Sequence, residues 1–120
     1  MFQEEQTGNE SGYVERAGVR VLLSTAPDEE TAARLARSLV EAGLVACVNI
    51  VPRIRSIYRW EGKIEDSAES LLVIKTTDSR AAEVSELIRR EHPYACPELL
   101  ALGVTGGLEA YLQWVEGAST

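Results

Sequence analysis

The stretch SIYRWEGKIEDSAESLLVIKTT, residues 56–77, decides how the rest of the chain is interpreted. It contains two strand-like runs that meet at Glu61-Gly62, and the first run extends back to about Leu44. The first run is rich in Val, Ile and Tyr, and the second passes through four consecutive aliphatic residues, 71–74. Both compositions favour a pleated, partly buried surface. We therefore predict a long β-hairpin.

The predicted hairpin is too long for the domain that contains it. A first arm unbroken over residues 46–60 would measure roughly 50 Å at ~3.3 Å per residue, whereas a domain of ~100 residues is roughly 35 Å across. Part of the hairpin should overhang, and an overhanging ribbon has open edges that need bending, charge or pairing with another chain. Pro52 predicts a bend or bulge in the first arm, since proline fits badly in a central strand. The hairpin alone thus predicts an oligomer.

Composition narrows the class of protein. The 120 residues are 45% hydrophobic and 26% charged, as in one soluble globular domain. A net charge of −7 argues against nucleic-acid binding. No apolar run approaches the ~20 residues that span a bilayer, and the N-terminus lacks the features of a signal peptide, so no membrane partner is expected. Cys47 and Cys96 are too few for a disulfide scaffold, which favours a cytoplasmic location.

The order of predicted elements indicates the fold. Residues 1–17 have few apolar residues and no periodicity, which predicts a disordered tail before a domain of residues 18–120. The domain pattern is β-α-β-β-α-β-α, with strands near 19–24, 44–60, 63–77 and 99–105 and the last helix after Gly106-Gly107. This order predicts an α+β, ferredoxin-like βαββαβ sandwich with an extended hairpin between its second and third strands and an extra C-terminal helix.

Several fragments in one register, over about residues 19–116, resemble the CutA1 proteins, the divalent-cation tolerance family. The fragments are STAPD at 24–28, VACVNI at 45–50, SIYRWEGKI at 56–64, Glu69 with IKTT at 74–77, HPY at 92–94 with PEL at 97–99, and YLQW at 111–114. The resemblance implies a ferredoxin-like homotrimer, similar in architecture to the PII signalling proteins and associated with tolerance to copper and other divalent cations. The alternative function is a PII-like signalling or adaptor trimer that binds a small anion or a partner protein in clefts between subunits.

The resemblance also implies candidate metal ligands. Some bacterial members of the family hold copper with a cysteine on the first strand and two histidines before the Pro-Tyr pair. This chain has Ser24 in place of the cysteine and Glu91 in place of the first histidine, and only His92 is retained. His and Glu suit a borderline divalent ion, whereas a serine hydroxyl is a poor ligand for a soft one, so metal binding should be weak or conditional. The alternative for His92 is a charged or hydrogen-bonding residue at a helix end.

Six further residues are predicted to line an inter-subunit cleft or interface. Four are aromatic, because aromatic residues concentrate in interface cores, and the other two are expected to form a structural ion pair. The six are Tyr58, Trp60, Tyr94 and Trp114, with the pair Lys75 and Glu98.

Basic residues near the end of the hairpin allow two interpretations. They form either a solvated strand face that discourages aggregation or, by analogy with PII-like trimers, an anion or nucleotide site at a subunit boundary. They are Arg53, Arg55, Arg59 and Lys63. Cys47, in an apolar run, is expected to be a small buried hydrophobe.

Catalytic signatures are missing from the sequence. It contains no nucleophile elbow, Walker loop, H-E-x-x-H or paired-cysteine zinc motif, and its single histidine limits acid-base designs. We therefore predict a protein that is not an enzyme.

Overall fold

The computed structural model describes residues 10–120. Its elements follow in chain order, with a single 3₁₀ turn, Asp78–Arg80, leading into the second helix. They are β1 (Tyr13–Glu15), β2 (Val19–Ala26), α1 (Glu29–Glu41), β3 (Cys47–Trp60), β4 (Lys63–Thr77), α2 (Ala81–Glu91), β5 (Leu100–Gly103), β6 (Gly106–Leu108) and α3 (Glu109–Ala118).

Four strands form the main sheet in the order β3-β4-β2-β5, and every neighbouring pair is antiparallel. Side chains of α1 and α2 pack on one face of this sheet, where Leu22, Leu72 and Ile74 are fully buried. This arrangement confirms the predicted ferredoxin-like α+β fold. A smaller cluster of Val19, Leu112 and Val115 attaches α3.

Helix α1 begins and ends where its sequence signals place it. Asp28 is the N-cap, and its side chain accepts a hydrogen bond from the Thr31 backbone N–H at 2.7 Å. That bond holds the pKa of Asp28 below its usual value, first through the backbone N–H. Gly43 follows the helix with a φ of 73°, a left-handed conformation that suits glycine. Both ends of α1 are therefore fixed by local residue types.

The hairpin of β3 and β4 overhangs the domain, as predicted. Its strands contain 14 and 15 residues, and the longest dimension of the molecule is 58 Å against 27 and 21 Å for the others. The radius of gyration is 16.9 Å, compared with about 14 Å for a compact domain of this length. Glu61 and Gly62 both have positive φ, 51° and 80°, which matches the two-residue turn that follows strand twist.

Pro52 lies in a bulge of β3, which confirms the predicted irregularity. Val51 pairs with Leu71 and Ile54 with Glu69, so two residues of β3 face the single residue Ser70 of β4. The second bulge residue, Arg53, has a φ of 61° although it is not glycine. The outer part of the hairpin is thus re-aimed at the point where it leaves the domain.

Two short strands correct the sequence prediction. Tyr13–Glu15, inside the predicted tail, form β1 and pair antiparallel with β6, where a helix start was expected at Gly106-Gly107. A three-residue strand has too few positions to show a period of two, and Gly-Gly favours a turn by composition alone. At Gly106 a Cβ atom would lie 2.5 Å from the Val14 carbonyl oxygen, so the glycine permits the close pairing. Residues 1–9 of the predicted tail lie outside the described residues.

Candidate functional site

The loop of residues 92–99 connects α2 to β5 and contains three of the nine predicted site residues, His92, Tyr94 and Glu98. Helix α2 ends at Glu91, because Pro93 disfavours a helical conformation at His92. The His92 backbone N–H still donates to the Ile88 carbonyl oxygen at 2.9 Å. His92 is extended, with ψ at 140°, so the chain turns away from the helix at this point. The loop then crosses the end of β2 and reaches the base of the hairpin.

The His92 side chain is 7% exposed, and both of its ring nitrogens are hydrogen-bonded. Nε2 lies 2.7 Å from the Thr25 carbonyl oxygen, which can only accept, so Nε2 donates. Nδ1 accepts from the Tyr94 backbone N–H at 3.1 Å. The ring is therefore held as the neutral tautomer with its proton on Nε2, and it has no free lone pair.

The other two predicted metal positions are also engaged. The Ser24 hydroxyl is fully buried and donates to the Glu98 carbonyl oxygen at 2.8 Å. The Glu91 carboxylate lies 3.8 Å from the Arg90 guanidinium and is partly exposed. No group of three or more His, Cys, Asp or Glu side chains placed to hold a metal ion occurs among residues 10–120. Within one chain, these residues do not fit a metal ion.

Glu69, on β4, is a buried carboxylate at the base of the hairpin. It is 7% exposed, and its Oε2 accepts from the Tyr94 hydroxyl at 2.9 Å. Burial, and then the hydrogen bond to Glu69, raises the pKa of Tyr94 to about 12. Burial and the charge of Glu69 likewise raise the pKa of Glu98. Within the described part of the chain, neither carboxylate has an ion-pair partner, so the cluster is acidic and uncompensated.

Lys75 does not pair with Glu98 as expected. Its ammonium donates to the Asn49 side-chain oxygen, and the Cys47 thiol lies 3.8 Å from the same atom. Lys75 is six residues along β4 from Glu69, a separation of about 20 Å in an extended strand. Cys47 is half-buried beside this lysine, so it is less enclosed than the apolar run suggested.

Of the predicted interface aromatics, Tyr58, Trp60 and Trp114 are exposed and Tyr94 is partly buried, and the four lie in different parts of the molecule. Tyr58 and Trp60 are on the hairpin, and Tyr58 is near enough to Tyr94 to help raise its pKa. Trp114, on α3, packs against Tyr111 with ring centroids 5.6 Å apart. One chain alone does not bring the four predicted aromatics together.

Sequence reasoning missed the apolar face of the sheet opposite α1 and α2, called here the open face. The residues next to Leu23 and Val73 along their strands face the helices, so alternation places these two side chains on the open face. Leu100 pairs with Leu23, and Leu102 with Val21, and the two leucines are 58% and 50% exposed. A signal was available, because runs that are apolar at nearly every position are typical of strands covered on both faces.

The sheet topology and the overhanging hairpin define this chain as a ferredoxin-like α+β protein with an extended β-hairpin. Residues 20–118 match the family described as "CutA1 divalent ion tolerance protein", and the chain belongs to that family.

The chain is also similar to individual relatives and to solved structures. The chain is 43% identical over 99 residues to "Protein CutA, chloroplastic" of Arabidopsis thaliana, covering 82% of this chain and 54% of that protein. It is 45% identical over 95 residues to "Divalent-cation tolerance protein CutA" of Thermus thermophilus, covering 79% and 92%. The solved structure of CutA from Synechococcus elongatus superposes with a TM-score of 0.86 at 39% identity, covering 90% of this chain and 96% of that one.

The length of the relatives differs from that of this chain. Against the plant and mammalian proteins first matched, the chain spans between 54% and 59% of the relative's length. No helix within residues 10–120 is long and apolar enough to cross a membrane.

Proposed function

We propose that this chain forms a cytoplasmic homotrimer that contributes to tolerance of divalent metal ions, copper above all, without catalysing a reaction. The open face supports assembly. Alternation turns Leu100 and Leu102 away from the helices, and these side chains are 58% and 50% exposed. At about 25 cal/mol per Å² of apolar surface removed from water, covering such a face with another copy is favourable. The family resemblance supplies the number three.

The overhanging hairpin supports the same assembly. Ile57 and Ile64 are 62% and 71% exposed, and Tyr58 and Trp60 are exposed on the opposite side of the ribbon. A two-stranded ribbon with apolar residues on both faces is not stable in isolation in water. A neighbouring subunit that receives the ribbon removes this cost.

Metal binding in this proposal is weak and conditional on assembly. Of the three inherited positions, Glu91 is the one whose donor atoms face outward, and a carboxylate alone binds a divalent ion poorly. A second chain would have to supply further ligands. His92 would first have to give up its bond to the Tyr94 backbone N–H, and Ser24 its bond to Glu98.

Calorimetric titration of copper and of zinc into chelator-treated protein tests the metal part. We expect saturable but weak copper binding, reduced in Glu91→Ala. Glu86→Ala is the matched control, because Glu86 is an exposed glutamate on the same helix, ion-paired to Arg89. The absence of saturable binding at micromolar copper would contradict the proposal.

The second candidate function is a PII-like sensor or adaptor, and the basic residues of the hairpin favour it. Arg55 is paired with Asp66, whereas Arg53, Arg59 and Lys63 have no ion-pair partner within residues 10–120. Unpaired guanidinium groups beside a subunit boundary suit a phosphate or carboxylate ligand. A thermal-shift screen of nucleotides and phosphorylated metabolites tests it, and the absence of any stabilising compound would count against it.

The proposed compartment has its own support and test. Cys47 and Cys96 are both unpaired, as expected under reducing conditions. Fractionation of the cells that produce the chain should recover it with cytoplasmic markers.

A further inference from the structure

We propose that His92 is a positioning residue that seats the Tyr94 phenol on the buried carboxylate of Glu69, and that it does not ligate metal. The proposal goes beyond metal tolerance, because it assigns the single histidine to the internal geometry of the 92–99 loop.

The imidazole of His92 makes two hydrogen bonds. Nε2–H donates to the Thr25 carbonyl at the end of β2, 67 residues away in sequence, and Nδ1 accepts from the Tyr94 backbone N–H two residues ahead. One ring thus ties the loop to the sheet and fixes the direction in which the loop continues. The imidazole holds its donor and its acceptor on one rigid ring, so the two bonds fix its orientation together.

His92 contacts Tyr94 at both its backbone and its ring. Its backbone is held by His92, and its ring lies against the imidazole with centroids 4.7 Å apart at an angle of 51°. The phenol then donates to Glu69 at 2.9 Å. Glu69 is 7% exposed, and the described residues give it no cationic partner. The phenol is therefore the group that makes burial of this carboxylate tolerable.

The same hydrogen bonds argue against His92 as a metal ligand. A metal-bound imidazole needs one nitrogen free of a proton and free of a donor, and its other N–H usually contacts a carbonyl or carboxylate. The bond of Nε2 to Thr25 would satisfy the second requirement, but the nitrogen left for metal, Nδ1, is occupied by the Tyr94 N–H. The Ser24 hydroxyl holds the same loop through the Glu98 carbonyl oxygen. Metal binding at His92 would open the contact that orients Tyr94.

Three substitutions at position 92 separate the two roles. In His92→Asn the side-chain oxygen takes the place of Nδ1 and keeps the bond from the Tyr94 N–H. In His92→Gln the side-chain nitrogen takes the place of Nε2 and keeps the bond to Thr25. His92→Ala keeps neither bond. None of the three offers an imidazole to copper, so a ligand role predicts the same loss of copper binding in all three.

Hydrogen exchange of the Tyr94 amide, followed by NMR in the assembled protein, is the direct readout. We expect His92→Asn to keep the protection of this amide, and His92→Gln and His92→Ala to lose roughly tenfold of it, the ratio for one hydrogen bond of about 1.4 kcal/mol. Copper titrations of all three should match that of the native chain. Equal protection in Asn, Gln and Ala variants would overturn the proposal, as would a tenfold loss of copper affinity in His92→Asn with protection intact.

A double-mutant cycle tests whether His92 acts through Tyr94. The shift in urea midpoint caused by Tyr94→Phe should be smaller in the His92→Gln background than in the native chain, because the phenol is already less well seated. Additive shifts would contradict the proposal. If the native chain binds no copper, the metal part of the proposed function fails, whereas amide exchange still decides the role of His92.

Discussion

Burial of the Tyr94 phenol, and then its hydrogen bond to Glu69, make its ionisation unfavourable in the folded protein. Its pKa is raised to about 12 from an ordinary value of 10.0. Because the folded value is the higher one, the stability that it contributes is complete below pH 10 and is lost as pH rises through about 12. The phenol is therefore a stabilising group across the physiological range.

Replacing Tyr94 by Phe should remove this contribution. We expect a loss of about 1–3 kcal/mol in the free energy of unfolding at pH 7, because Glu69 stays buried without its donor. The difference between native and variant should shrink between pH 10 and 12. Urea unfolding at a series of pH values measures both effects.

Tyr111→Phe is the control for this prediction. Tyr111 is exposed on α3 with its ring against Trp114, so the same chemical change should alter stability by less than about 0.5 kcal/mol. An equal loss in both variants would show that the Glu69 contact is not the cause.

Sequence reasoning found the residues of this site but not their contacts. His92, Tyr94 and Glu98 were singled out from their positions and from family resemblance. Their partners are backbone carbonyls and a glutamate on distant strands, such as Thr25 and Glu69. Backbone groups are the same in every residue, so no pattern in the sequence identifies which carbonyl a side chain will reach.

The bulge in β3 places backbone strain at Arg53. Arg53 has a φ of 61°, which is unfavourable for a residue with a Cβ atom. Arg53→Gly should stabilise the protein by roughly 0.5 kcal/mol, since relief of the strain exceeds the entropic cost of glycine. Urea unfolding at fixed protein concentration checks the sign.

Arg55→Gly supplies the opposite case. Arg55 lies two residues away in ordinary strand pairing with Ala68 and is bonded to Asp66. Glycine there should destabilise by about 0.5–1 kcal/mol, because a strand interior gains nothing from its flexibility. If both substitutions destabilise equally, the left-handed conformation of Arg53 is not a source of strain.

The elements with strong local signals were predicted correctly. The hairpin, its turn at Glu61-Gly62 and the irregularity at Pro52 follow from residue types that restrict the backbone. β1 and β6 were missed because their pairing joins residues more than ninety positions apart. Such a contact depends on where the sheet places both segments, and a local pattern does not report that.

The open face should control assembly of the chain. We expect the native chain to show a mass near three times 13.1 kDa by light scattering after gel filtration. Leu102→Glu should lower this mass towards that of one chain, because assembly would bury a carboxylate without a partner.

Val40→Glu is the matched control for Leu102→Glu. Val40 is 47% exposed on α1 and Leu102 is 50% exposed on β5, so both changes add one charge at a similar exposed fraction. The helix is on the other side of the sheet from the open face. A native mass in Leu102→Glu, or dissociation in both variants, would contradict the role of the open face.

The bulge has a consequence for how the chain tolerates a deletion. Two residues of β3 face Ser70, so the loss of one of them leaves Val51 opposite Leu71 and Ile54 opposite Glu69. Every cross-strand partner beyond the bulge, as far as Trp60 and Lys63, would be retained. The loss of one bulge residue should therefore change the direction of the hairpin while keeping its pairing. The direction of the ribbon can therefore vary independently of its register.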